Sequence, residues 1–238
     1  MISKITDFTL ANSFLLEKEQ KIYNKTHRVS PGYFSIKNIL DLKKNYTYEE
    51  DKIIFIGTID WRMDFDLLEY VIDELSDKTF LFYYKEVFDS FQSQKKIKSL
   101  NKIGLSKWKK IKSKKNVNLI EVSNQDELAK QKIHGSLGIM PYYMNDIFNK
   151  YCHPIKFYNY FALGIPIVSV KIPNILHYQS EYVKFVDNKK EFAKEVRRLL
   201  NKKVSKKNSK WMYKQALDQT FERKTKQIEE LVGKNLNL

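Results

Sequence analysis

The segment from His153 to Val170, His-Pro-Ile-Lys-Phe-Tyr-Asn-Tyr-Phe-Ala-Leu-Gly-Ile-Pro-Ile-Val-Ser-Val, leaves few folds open to the chain. Pro154 suits the first turn of a helix, where a missing N–H is no loss. Ile155, Tyr158 and Ala162 recur at helical spacing, and Phe157 and Phe161 widen the apolar face. Gly164 is placed to end the helix, and Pro166 cannot continue it. Ile165 to Val170 reads as a short buried strand with Pro166 near its start. A helix turned so tightly into a buried strand packs on the sheet which that strand enters.

Similar units recur upstream. Lys52–Gly57 is a continuous apolar run closed by glycine, as in a strand covered on both faces. A loop over 58–64 and an amphipathic helix marked by Leu67, Leu68, Val71, Ile72 and Leu75 follow it. Thr79–Tyr84, Asn116–Glu121, Ser136–Tyr142 and Tyr182–Val186 are further strands. Ser123 or Asn124 caps a helix buried through Leu128, Ala129 and Ile133, and Asp187 or Asn188 caps one that runs to Leu200. At the start, residues 5–12 read as a strand, a helix capped by Asn12 or Ser13 runs to Asn24, and His27–Gly32 is a short strand ending in a Pro-Gly turn. Residues 35–50 are polar and mixed, and read as a linker or surface segment. A last helix spans Ser209–Val232. The alternation predicts an α/β fold, a Rossmann-like parallel sheet with helices on both faces. Ligands bind such sheets beyond the carboxyl ends of the strands, here the loops 57–63, 121–124, 141–146 and 151–156.

Composition narrows the chemistry. Hydrophobic content of 42% and aromatic content of 14% support a sizeable core. No apolar run approaches the ~20 residues that span a bilayer, and the first residues lack the apolar centre of a secretion signal. Cys152 is the sole cysteine, which excludes an internal disulfide and fits a reducing cytoplasm. The net charge of +15 attracts polyanions. Residues 85–115 carry eleven lysines against Glu86 and Asp89. Phe88, Phe91, Ile97, Leu100, Ile103, Leu105, Trp108 and Ile111 are interleaved there. This is either a basic amphipathic surface for an anionic membrane or nucleic acid, or helices with a solvated basic face. No nucleic-acid motif accompanies the charge, so nucleic acid is not the expected partner. His27, His134, His153 and His177 show no metal-ligand spacing, and no metal site is expected. The hydrolase elbow, the P-loop and the dinucleotide glycine fingerprint are all missing.

The 153–170 segment resembles the donor-binding segment of GT-B glycosyltransferases through Pro154, Lys156, Tyr160, Ala162, Gly164, Pro166, Val168 and Ser169. In that family the helix N-terminus, here His153, Pro154 and Ile155, meets the diphosphate of a nucleotide sugar, and an acidic residue along the helix holds the ribose. Asn159 stands where the family usually has that Glu, and Tyr151 stands where many members have the first Glu of their paired-glutamate motif. The Gly57–Thr58 loop with Arg62 resembles the family's opening phosphate loop. Residues 116–142 resemble a further segment, in which backbone around Glu121 and Val122 meets the base and Tyr142 lines the pocket. Asn145 fits a polar position ahead of the diphosphate loop. Trp211 and Phe221 fit the family's C-terminal pattern.

The resemblance implies the donor half of a GT-B fold: 1–45 as the remnant of an acceptor domain and linker, 46–204 as the nucleotide-sugar domain, 205–238 as a crossover helix. It implies transfer of a hexose-type sugar from a UDP- or GDP-sugar to a glycan, polysaccharide or lipid-linked acceptor. No cofactor or metal is implied, because Arg62 and Lys156 would stabilise the departing diphosphate. Most of the acceptor domain is missing, so a partner chain carrying it is expected, unless the sequence is a fragment. A cytoplasmic protein touching the inner face of the membrane fits the charge. The alternatives are a degenerate, non-catalytic interaction protein of the same fold and a basic polyanion-binding protein.

Overall fold

Six strands, all parallel, form the central sheet of the computed structural model, which describes residues 6–30, 32–88, 95–145 and 147–236. Ile5, Pro31 and its turn, Asp89 and Phe91 lie outside the described residues. A small parallel pair, β1 (Thr9–Ala11) with β2 (Thr26–Arg28), brackets helix α1 (Phe14–Gln20), which Ser13 caps. The main sheet contains β3 (Tyr46–Ile59), β4 (Thr79–Glu86), β5 (Val117–Glu121), β6 (Ile133–Met140), β7 (Ile167–Val170) and β8 (Val183–Val186). Its spatial order is β5-β4-β3-β6-β7-β8. The chain winds outward from β3 one way, then crosses to β6 and winds the other way. This is the doubly wound arrangement, and it opens a crevice where the order reverses, between the carboxyl ends of β3 and β6.

Tyr160 sits at that reversal. It lies on α7 (Ile155–Leu163), and its hydroxyl donates towards Ile54 O (3.2 Å) and Ile139 O (3.0 Å) and accepts from Ile56 N (3.0 Å). One side chain thus pairs backbone groups on both strands where they part. Gly138 makes room, since a Cβ there would stand 2.6 Å from the Tyr160 ring.

Helices cover both faces. They are α2 (Ile36–Lys44), α3 (Phe65–Glu74), α4 (Lys95–Lys112), α5 (Gln125–Lys130), the short α6 (Ile147–Tyr151), α7, α8 (Lys189–Leu199), α9 (Lys206–Leu217) and α10 (Phe221–Leu236), with a 3-10 turn at Pro173–Tyr178. Caps at Asn124 and Asn188 fall where the sequence places them. Gly164 ends α7 at φ +70, the left-handed cap that glycine favours.

Several expectations need correction. Residues 35–50 are not a linker. Ser35 and Asn38 form a reciprocal capping box, α2 buries Ile39 and Leu42, and the first part of β3 pairs with β6 from Tyr46. That part is polar because it is only partly covered, and a register shift between Tyr48 and Ile53 separates it from the apolar half. Ile133 opens β6 rather than lying in the preceding helix. The last helix is two. Thr220 is fully buried and bridges to Phe34, which breaks the helical run between α9 and α10. The basic stretch follows the second of its two readings: Lys85 lies in β4, and from Lys95 the chain is one long helix, α4, tied to its own domain. Trp108 is fully buried, Lys107 pairs with Asp66, Lys112 with Glu86 and Lys114 with Asp73. Among the described residues no helix is long and apolar enough to cross a membrane.

Candidate functional site

A cleft of ≈ 540 Å³ opens at the carboxyl ends of β3 and β6. Its volume lies in the range of small-molecule sites, roughly 300–1,000 Å³. Gly57, Thr58 and Arg62 enter from the β3 exit, Tyr142 from the β6 exit, and His153, Pro154, Ile155, Lys156 and Asn159 from the start of α7. Nine of the expected residues therefore meet at the switch point. Glu121, Val122 and Asn145 do not line it. The β5 connection reaches the cleft through Gln125 instead, and Asn145 lines a separate cavity beside Asp64 and Lys171. Val122 is drawn under the sheet edge, its N–H bonded to Tyr84 O at 2.8 Å.

The two connections that form the cleft floor are tied together. Met63 bridges Tyr142, Asp64 N bonds Pro141 O (2.9 Å), and Tyr143 N bonds Arg62 O (2.9 Å). Asn149, fully enclosed, donates to Arg62 O (3.0 Å) and Tyr143 O (2.7 Å). Neither Asn149 nor Asp60 was expected in a role. Asp60 is buried and grips Arg62, with Nε to Oδ1 at 3.1 Å and Nη2 to Oδ2 at 2.6 Å. Burial alone would lower the Arg62 pKa, but the hydrogen bonds and charge of Asp60 outweigh it and raise the value. A guanidinium has five donors, and Asp60 engages only Nε and Nη2. Arg62 is thereby aimed, charged and still able to bond an anion.

Lys156 is the unusual group. Its ammonium is enclosed, has no hydrogen-bond partner among the described residues, and lies 4.0 Å from the Phe55 ring centre and 4.5 Å from that of Tyr142. The ring faces offset part of the lost hydration. Burial first, then the nearby Arg62 charge, push its pKa down to about 7. Gly57 leaves the space for it. With φ at +127, a Cβ at this position would stand 2.9 Å from Lys156 Cε.

Asn159, three residues on and on the same face of α7, is buried with neither carboxamide atom bonded. His153 bonds Tyr158 Oη through Nε2 at 2.7 Å, while its Nδ1 is enclosed without a partner. Burial, with Lys224 and Arg28 adding to it, lowers the His153 pKa to about 4. An unmatched buried polar group costs about 1–3 kcal/mol, more if charged. Lys156, Asn159 and His153 all carry that cost around one cleft. Among the described residues no side chain caps α7; Phe157 N bonds Pro154 O at 3.3 Å, and Ile155 and Lys156, whose N–H groups precede it, line the cleft. Tyr151, at the cleft edge, hydrogen-bonds Glu19 of α1. The Cys152 thiol is pushed up by burial. Among the described residues no group of three or more His, Cys, Asp or Glu could hold a metal ion.

A parallel sheet, a cleft at its switch point and a buried cation beside a helix start place a concave, positively charged site beyond the carboxyl ends of β3 and β6. Comparison with solved structures agrees on the fold. No protein-family model and no curated protein sequence matches the chain. Sucrose-phosphate synthase from Thermosynechococcus elongatus matches over 99% of this chain and 60% of its own, at 12% identity and a TM-score of 0.66. HepE from Anabaena, crystallised with UDP and glucose, matches over 96% and 64%, at 11% identity and a TM-score of 0.60. A UDP-forming trehalose-phosphate synthase from Burkholderia xenovorans matches over 94% and 60%, at 7% identity and a TM-score of 0.67. The chain has the Rossmann-like fold of GT-B glycosyltransferases and spans less than two thirds of the length of these solved chains.

Proposed function

We propose that the chain is the donor-binding half of a glycosyltransferase and takes a nucleotide diphosphate sugar into the switch-point cleft. The observation that carries this reading is the cluster of unmatched buried groups, Lys156 Nζ and both carboxamide atoms of Asn159, beside an uncapped helix N-terminus. A diphosphate answers the first and third of these, and a ribose diol answers the second, since a carboxamide both donates and accepts. Asn159 would do with neutral groups what the family's Glu does with a charge. Complexes of HepE with UDP-glucose, and of the trehalose-6-phosphate protein from E. coli with UDP-2-fluoro glucose, support a UDP-sugar as the donor class.

In transfer, negative charge builds on the departing diphosphate. Arg62, Lys156 and the N–H groups of Ile155 and Lys156 would stabilise it, and enclosure strengthens each interaction. The acceptor, a glycan, polysaccharide or lipid-linked molecule, would meet the donor from the side that an acceptor domain covers in full-length relatives. A base to activate it would come from there or from a partner chain. The exposed lysines of α4 would hold the assembly near an anionic membrane surface.

Calorimetric titration with UDP, GDP and ADP at low and physiological salt tests the reading. Saturable, base-selective binding is expected. Replacing Arg62 and Lys156 together by Ala should remove two charge-assisted contacts and weaken binding about a hundredfold or more. Unchanged affinity in that variant would sink the assignment.

A further inference from the structure

A second cavity lies behind His153, walled by β2, the 3-10 turn, the α7 start and α10. Its volume is ≈ 210 Å³, too small for a nucleotide by the usual range of roughly 300–1,000 Å³. Its lining is polar and one-signed. Arg28, Lys224, His153 and His177 face it, and among the described residues no Asp or Glu does. The carboxylate nearest Arg28 is Glu17, at 4.0 Å. Lys224 Nζ bonds the neutral Gln227, at 3.2 Å, and burial lowers its pKa against the pull of Asp218. Arg28 also adds to the lowering of both histidines. With the histidines neutral, Arg28 and Lys224 still put two like charges on one partly buried pocket, and a bound anion relieves their repulsion.

We propose that this pocket binds a phosphate dianion, either free or as the end group of a small phosphomonoester. Arg28 would offer its planar fork and Lys224 its ammonium. Ser30 and Tyr158 supply hydroxyls at the wall. The site is separate from the donor cleft, although His153 and Asn12 line both. It also joins segments far apart in sequence, Arg28 on β2 and Lys224 on α10, so occupancy would clamp β2 to α10.

The test is calorimetric titration of the whole chain with inorganic phosphate and, in a parallel arm, glycerol 3-phosphate, at physiological salt and with UDP present in excess. Phosphate should bind despite the UDP. Arg28→Gln and Lys224→Gln should each weaken it about tenfold, the loss of one charge-assisted contact. Lys110→Gln, on the exposed side of α4, should leave it unchanged. Circular dichroism and the thermal midpoint check that each variant is folded, and Arg28 is half exposed, so its replacement is tolerated. Tighter binding of glycerol 3-phosphate assigns the site to an organic phosphomonoester, and equal or weaker binding assigns it to the free ion. Absence of binding to the wild type, displacement by UDP, or wild-type affinity in both variants overturns the proposal. Because the variants lie outside the cation pair that meets the donor, failure here leaves the nucleotide reading intact, and failure of UDP to bind leaves this test valid.

Discussion

On the proposed reading, binding of a nucleotide diphosphate sugar should be tied to proton uptake at Lys156. A fall in pKa from 10.5 to about 7 corresponds to about 5 kcal/mol of lost preference for the charged form, at 1.36 kcal/mol per tenfold. A diphosphate against Nζ restores the charged form. The complex should therefore take up a proton wherever the free protein has released one. With the free value near 7, uptake should be about 0.1 proton at pH 6, about half at pH 7 and about 0.9 at pH 8. Affinity should fall about fivefold between pH 7 and 8, then about tenfold between pH 8 and 9. The assay is titration with UDP-glucose in buffers of different ionisation enthalpy, where the slope of observed heat against buffer enthalpy counts protons. UDP-glucose is preferred to UDP because its diphosphate does not titrate in this range. Other groups in the cleft stay silent there: His153 titrates near 4, and burial holds Cys152 and Tyr142 above their ordinary values. Lys156→Met should abolish the uptake and flatten the pH profile. Uptake near zero at pH 8 in the wild type, or undiminished uptake in Lys156→Met, refutes the reasoning.

Asn159→Leu should separate binding from stability. It removes two unmatched buried polar atoms, so denaturant unfolding should show a gain of about 1–3 kcal/mol, while UDP affinity drops about tenfold or more. Gly57→Ala should lose about 1–3 kcal/mol of stability and weaken UDP binding together, because φ is +127 and the new methyl meets Lys156. Tyr160→Phe should cost about 1–3 kcal/mol in the same assay by orphaning backbone groups of β3 and β6. For pH, the folded value of His153 is depressed from 6.5 to about 4, so the unfolded chain binds its proton first as pH falls. Stability from this group is complete above 6.5 and falls by about 3 kcal/mol as pH drops to 4, a loss that His153→Gln should remove from the unfolding profile.

The inner strands were legible because β4, β6, β7 and the second half of β3 are buried on both faces and appear as apolar runs. The helix that carries the site was legible from its Pro154 start and Gly164 stop. Residues 35–50 misled because α2 buries only Ile39 and Leu42, and the leading half of β3 is polar where it is only partly covered. The Ser35–Asn38 capping box was the signal that marks α2. The break before α10 depends on Thr220 pairing with Phe34, a contact no local pattern reports. Within the site, residue types that meet anions were readable, and their burial was not. A lysine on a helix is ordinarily exposed; Lys156 is enclosed because Gly57, on another element, leaves it a hole. Asp60 is two residues from Arg62, yet its grip depends on the turn that folds one onto the other. Glu121 and Val122 lay at the correct strand end, but the cleft is set by the strand reversal and reaches that connection only at Gln125.

The most direct test of the central claim is a two-dimensional amide NMR titration of the isotope-labelled chain with UDP. The account predicts saturable shifts at Ile155, Lys156, Gly57 and Arg62, with α4 unmoved. Shifts confined to α4, or none at the α7 start at saturating nucleotide, would contradict it.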